Sequence, residues 1–188
     1  MNLGILFIAV SVLWVASEIL LARSKRSQPT DVKVDKSSLR VLWIAIAVGV
    51  NGGILFSFLR LGYFGHGLPV YPVAGLVLMV LGLTIRWIAI LSLKHQFTVD
   101  VAITDDHHII RGGLYRFVRH PAYAGSLLSF LGLGLAFADY FTILIIFLPI
   151  CSAFLYRIRI EEKALIDNFG DAYVNYCATT KRLIPGVY

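Results

Sequence analysis

The densest run of chemistry-bearing residues is Gly113-Leu114-Tyr115-Arg116-Phe117-Val118-Arg119-His120-Pro121-Ala122-Tyr123. It sets a glycine turn, two arginines, a histidine and two tyrosines just ahead of an apolar stretch. Pro121 suits a first helical turn, where its missing N–H costs nothing. The free amides of such a helix start favour anionic groups. The same residues also suit a cationic anchor with an aromatic belt at a membrane surface. A second run, Arg157-Ile158-Arg159-Ile160-Glu161-Glu162, places Arg157 and Glu161 four apart on one helical face. It reads either as a snorkelling base with a surface ion pair or as functional charge at a membrane boundary. His95, His107, His108 and His120 lack H-x-x-x-H spacing and a nearby cysteine pair, so no metal site is expected. No dinucleotide fingerprint follows a strand either, since Gly132-Leu133-Gly134 lies inside an apolar run.

The rest of the chain must position these residues, and its composition says in what medium. The 188 residues are 58% hydrophobic and only 15% charged. A soluble domain is about a quarter charged, and disorder needs low hydrophobicity. One integral-membrane domain over residues 1–188 is expected, all-α, with five transmembrane helices. The apolar runs predict spans at about 3–21, 41–59, 70–93, 121–138 and 141–156. The last two form a helical hairpin around Ala138-Asp139-Tyr140. Asn51-Gly52-Gly53 predicts a kink or a close helix approach in the second span. Leu165, Ile166, Phe169, Tyr173 and Tyr176 recur at helical spacing within residues 161–180, which predicts a C-terminal amphipathic helix on the cytoplasmic side. Glu18, the one acid of the first span, has two readings: it snorkels to the helix end or lines a cavity.

The net charge of +6 takes its meaning from where the bases lie. Fifteen of the 17 Lys and Arg fall in residues 23–40, 94–119 and 157–188. The positive-inside rule makes these three segments cytoplasmic, with the N-terminus outside and the C-terminus inside. Orientation therefore accounts for the charge, and no nucleic-acid partner is expected. The polar segments are too short for a soluble catalytic domain, so any site is built from the last two against the helix ends.

Together the two runs resemble the isoprenylcysteine carboxyl methyltransferase family and its relatives among membrane phospholipid methyltransferases. The resemblance rests on His107-His108-Ile109-Ile110, Gly113-x-Tyr115, Arg119-His120-Pro121-x-Tyr123, Arg157-x-x-x-Glu161-Glu162, Phe169-Gly170-x-x-Tyr173-x-x-Tyr176 and Arg182-x-x-Pro185, with Arg86-Trp87 ahead of them. It spans about residues 80 to 188, and the short N-terminal half is similar to prokaryotic homologues, which implies an inner, plasma-membrane location. The resemblance implies S-adenosylmethionine as cofactor, methylation at the cytoplasmic face and a tunnel that admits a lipid chain. It places His107, His108, Ile109, Ile110, Tyr115, His120, Pro121, Ala122, Tyr123 and Glu161 around the cofactor. Arg157 and Glu161 become the catalytic pair, with Arg157 on a substrate carboxylate.

The chemistry of esterification agrees with that implication. A carboxylate is ionised at neutral pH and needs no general base. Arg157 can grip it bidentately, and Glu161 can orient Arg157 or hold a polar part of the cofactor. The expected activity is carboxyl O-methylation of an isoprenylcysteine-like or other lipidic carboxylate, a small molecule reached from the membrane lipids. The alternative keeps fold and cofactor but methylates a phospholipid amine or a small thiol; an amine would need a base such as Glu161, Glu162 or His120. A non-catalytic scaffold, the third reading, predicts no cofactor binding.

Overall fold

The computed structural model describes residues 2–24, 32–35, 37–67, 69–99, 101–103 and 108–188. Within them the chain forms α1 (Leu3–Ser24), β1 (Val32–Asp35), α2 (Ser37–Ser57), α3 (Val70–Leu93), β2 (Val101–Ile103), α4 (Pro121–Ala136), α5 (Tyr140–Phe169) and α6 (Asp171–Thr179). Among the described residues, α1, α2, α3 and α5 are long and apolar enough to cross a membrane. Their outward faces carry large apolar side chains, such as Leu13 at 69% and Leu55 at 70% exposure. In water such a surface would aggregate; in lipid it is solvated. The fourth helix in this bundle, α4, has only 16 residues, about 24 Å of rise.

Packing follows the small residues. Gly75 and Gly82 of α3 meet Gly132 and Gly125 of α4. A Cβ built on Gly75 would lie 2.5 Å from the Gly132 carbonyl, and one on Gly125 would lie 2.5 Å from the Gly82 carbonyl. Without a hydrophobic drive between helices in lipid, this backbone approach supplies the dispersion contact that joins them. Around Asn51-Gly52-Gly53 the outcome is close approach within one continuous α2: the carbonyls of Ile145 and Ile146 on α5 would lie 3.2 Å from a Cβ on Gly49. Ser129, fully buried on α4, donates to the Met79 carbonyl of α3 at 3.2 Å.

The helical bundle carries one small addition, and two boundaries differ from expectation: β1 and β2 pair antiparallel, Val32 opposite Ile103 and Lys33 opposite Ala102. Both segments leave the bundle on the same side, where their backbone groups need partners. The predicted last span and amphipathic helix are also divided differently. Nothing between Tyr156 and Phe169 breaks a helix, so α5 runs 30 residues without interruption, Pro149 included. The break comes at Gly170, whose φ of +53° suits glycine, and α6 is a separate short helix. Finally, α2 begins at Ser37, ahead of the expected 41, because Asp35 caps it.

That cap makes a test. Asp35 accepts from the Ser37 amide at 2.7 Å, the Ser37 hydroxyl at 2.6 Å and the Ser38 amide at 2.8 Å. Burial opposes ionisation, but the hydrogen bonds from Ser37 and Ser38 outweigh it and lower the carboxyl from 3.8 to about 2. Since the folded value is depressed, this stabilisation is whole above 3.8 and is lost as pH falls toward 2. Asp35→Ala is expected to cost about 1 kcal/mol of stability at neutral pH. Thermal unfolding in detergent, compared at neutral and acid pH, checks this: the gap between variant and parent closes in acid.

The opposite end is tied by Asp139, which is 1% exposed. Its carboxylate caps α5 through the Thr142 amide at 2.8 Å and accepts from the Gly62 amide at 2.9 Å. One buried acid thus joins the α4–α5 turn to the loop between α2 and α3.

Candidate active site

The site grows from the start of α4 and the polar end of α5. A single 3-10 turn, Gly113–Arg116, brings Tyr115 inward to 6% exposure, and its hydroxyl donates to the Ala89 carbonyl of α3 at 3.4 Å. The Arg119 and His120 amides donate to the Lys181 and Arg182 carbonyls at 2.7 and 3.0 Å, so the C-terminal segment docks beside the RHP turn. Pro121 then starts α4 and directs Tyr123 toward α5.

Arg157 is 2% exposed, and its helix runs on past it through Glu161 and Glu162 to Phe169. Its Nε donates to the Tyr123 hydroxyl at 2.9 Å, Nη1 donates to Ser38 Oγ at 3.3 Å and Nη2 donates to the Val99 carbonyl. The Tyr123 hydroxyl passes the chain on, donating to Glu161 Oε2 at 2.7 Å. Arg157 and Glu161, expected to touch as helical neighbours, are therefore joined through a tyrosine from α4. Of the five guanidinium N–H groups, those three contacts use three among the described residues and leave two for an anion.

The two adjacent acids do different work. Glu162 is gripped by Arg119 Nε at 2.9 Å and Arg182 Nε at 2.8 Å, with His120 Nε2 at 3.4 Å. It fastens the C-terminal segment to α4 and α5. Glu161 meets the Tyr123 hydroxyl and, at 3.9 Å, His120 Nδ1, and its side chain keeps 29% exposure. It is the acid that faces open space.

That space has two parts. A polar chamber of about 120 Å³ is lined by His108, Ile109, Ile110, Tyr115, His120, Ala122, Tyr123, Arg157 and Glu161. An apolar cavity of about 530 Å³ extends from it between α1, α2, α4 and α5. Tyr123, Arg157, Phe97 and Thr98 line both, so the arginine stands at their junction. Of the residues expected around the cofactor, Pro121 is buried in the first turn of α4 and does not line the chamber. His107 lies outside the described residues.

The sequence reading missed several lining residues. Gln96, 5% exposed, accepts from the His108 amide at 2.9 Å. Tyr173 and Tyr176, on the apolar face of the expected amphipathic helix, are both buried and line the chamber. Burial and the nearby Glu161 push the Tyr115 and Tyr173 phenols well above their usual range, and burial brings Tyr176 to about 12. All three stay neutral at physiological pH and act as hydrogen-bond donors or aromatic faces. The available signal was the spacing Phe169, Tyr173, Tyr176, which is too apolar for a solvated helix.

Glu18 resolves in favour of a cavity wall. Arg86 Nε and Nη2 donate to its two carboxylate oxygens at 2.6 and 2.7 Å, and both residues line the apolar cavity.

The model of the isoprenylcysteine carboxyl methyltransferase family matches residues 75–167, which contain most of α3, all of α4, Arg157 and Glu161. A protein-S-isoprenylcysteine O-methyltransferase of Schizosaccharomyces pombe is 28% identical over 98% of this chain and 84% of its own length. A probable protein-S-isoprenylcysteine O-methyltransferase of Oryza sativa subsp. japonica is 26% identical over 96% of this chain and 94% of its own. The solved eukaryotic intramembrane Ras methyltransferase, an isoprenylcysteine carboxyl methyltransferase, superposes with a TM-score of 0.64 at 24% identity, over 75% of this chain and 52% of that one. This chain spans about half the length of that structure, whose likeness shows the shared fold. By the matched segment and the relatives aligned along nearly the whole chain, the protein is similar to the isoprenylcysteine carboxyl methyltransferase family, whose solved member shares its fold.

Proposed function

We propose that this chain is an integral-membrane methyltransferase that uses S-adenosylmethionine to esterify the carboxylate of an isoprenylcysteine-like or other small lipidic acid. The observation that carries this reading is the position of Arg157, at the one junction between a polar chamber and a long apolar cavity among the described residues. A methyl donor on one side and a lipid tail on the other would bring their reacting atoms together there.

The residues of the chamber fit the cofactor by their chemistry. The cofactor is a sulfonium cation with an adenine ring and an amino-acid tail, and it supplies an electrophilic methyl group. Glu161 offers negative charge to a cationic part of it. Tyr115, Tyr173, Tyr176 and Phe97 offer aromatic faces to adenine or to the cationic sulfur. His108, Ile109, Ile110, His120, Ala122 and Tyr123 complete the lining.

Arg157 would hold the acceptor carboxylate with its two remaining N–H groups, while Tyr123, Ser38 and Val99 keep the guanidinium from turning. No proton needs to leave such an acceptor, so no base is required. The task left to the protein is alignment and exclusion of water. Tyr123→Phe is expected to lower kcat/KM by about 10–100-fold, because Arg157 Nε loses its partner in a buried place. Steady-state kinetics at matched thermal stability checks this.

The wider topology belongs to the same reading. One domain covers residues 1–188, and α4 completes a five-span bundle. The N-terminus lies outside and the C-terminus in the cytoplasm, at the plasma membrane of a prokaryotic cell. The fifteen bases gathered on one side support it. Calorimetry with S-adenosylhomocysteine on detergent-purified protein tests the cofactor: saturable binding is expected, and no binding to folded protein would overturn the proposal.

A further inference from the structure

The Glu18–Arg86 pair lies outside the machinery described above, in the wall of the apolar cavity. Its two halves belong to elements of unequal firmness. Arg86 is on α3, which the glycine contacts lock to α4: a Cβ on Gly125 would lie 2.7 Å from the Arg86 amide. Arg86 Nη1 also donates to Ser126 of α4 at 3.0 Å. Glu18 is on α1, and of that helix's 22 residues only Trp14 and Leu21 are buried. Trp14 packs at a tilt of 54° against Phe130 of α4 with ring centroids 4.7 Å apart. Such apolar contacts slide in lipid at little cost, whereas Glu18 fastens α1 to α3 directionally, with both carboxylate oxygens on the Arg86 guanidinium.

The side of α1 that carries Trp14 and Glu18 faces the cavity. Ile8, Ser11 and Val15 line it from α1, and Leu42, Ile46 and Val50 line it from α2. Ser11 Oγ is buried without a hydrogen-bond partner among the described residues. The α1 wall is thus the part of the cavity least committed to its surroundings.

Resting on the acceptor reading above, we infer that the Glu18–Arg86 pair is a latch that fastens α1 as the movable side wall of the apolar cavity and sets how bulky an acceptor tail the enzyme admits. Closed, the pair keeps α1 against α3 and favours slender tails. Opened, it lets α1 move off α3 and widens the cavity. The ion pair suits this role because it is strong where water is scarce and re-forms only in one geometry. Glu18 and Arg86 are positioning residues here and touch no reacting atom.

The test uses acceptors that share one thioether carboxylate head and carry tails of increasing length and branching. With wild-type enzyme, kcat/KM is expected to fall from slender to bulky tails. Glu18→Gln, which retains a hydrogen bond, and Glu18→Ala, which does not, are expected to narrow that spread progressively, by about tenfold for alanine. S-adenosylhomocysteine affinity should stay within about twofold. The exchanged pair, Glu18→Arg with Arg86→Glu, is expected to restore the spread. Hydrogen exchange of wild-type protein in nanodiscs gives a readout free of variants: α1 should exchange faster than α3, and a bulky acceptor should slow it.

The inference is overturned if the tail profile is unchanged in both Glu18 variants. It is equally overturned if all acceptors and cofactor affinity decline together, which marks a purely structural pair, or if α1 and α3 exchange alike. Failure of the proposed function looks different: wild-type protein then methylates no acceptor of any tail.

Discussion

Replacing Arg157 with alanine is expected to lower kcat/KM for a lipidic carboxylate by about 10²–10³-fold, the cost of removing one partner from a desolvated charge pair. Affinity for S-adenosylhomocysteine should change little, since the chamber's acid and aromatic lining remains. Arg157→Lys separates charge from geometry. A lysine keeps the positive charge but offers a point donor in place of a planar fork. It also cannot reach Tyr123, Ser38 and the Val99 carbonyl together, as the guanidinium does. The lysine variant is expected to stand between alanine and wild type, recovering about tenfold. Single-turnover kinetics with saturating cofactor measures this. If both variants esterify at the parent's rate, Arg157 does not hold the acceptor.

The second large effect concerns the fold. Gly82→Val places a side chain against Ser129 and the Gly125 carbonyl, so two helix backbones must part. The expected loss is about 3 kcal/mol, the upper end for overpacking, or about 6–12 °C in Tm for a chain of this size. Activity should fall with it, because Gly125 also abuts the Arg86 amide and α4 carries Tyr123. Gly112→Ala is the control. Its φ is −94°, and a Cβ there meets nothing within 4 Å. Its stability should stay within about 0.5 kcal/mol of wild type. Thermal unfolding in one detergent ranks the three proteins, and equal Tm values would contradict the close packing of α3 on α4.

How much of this was legible beforehand depends on whether the signal was local. The apolar runs marked α1, α2 and α3 within a few residues, because twenty consecutive apolar side chains have no other use. The hairpin at Asp139 was legible from its turn residues. The α5–α6 boundary was misplaced because charge marks where a helix leaves the membrane, not where it ends; Gly170 was the better signal. The β1–β2 ribbon pairs segments about seventy residues apart, and neither is long enough to announce a strand.

The site divides along the same line. Spacing put Arg157 and Glu161 on one face, but only the fold shows Tyr123 between them. Glu162 looked like the twin of Glu161 until Arg119 and Arg182 closed on it. Glu18 could not find Arg86 from sequence alone, since the partners lie on helices that meet only in three dimensions.

The most direct measurement supplies purified enzyme with methyl-labelled S-adenosylmethionine and a thioether carboxylate bearing an isoprenoid tail, then treats the extracted product with base. Esterification through Arg157 yields a lipid-soluble labelled product that releases its label as volatile methanol, and Arg157→Ala does not form it. A labelled lipid that survives base would contradict the account and identify nitrogen or sulfur as the acceptor atom.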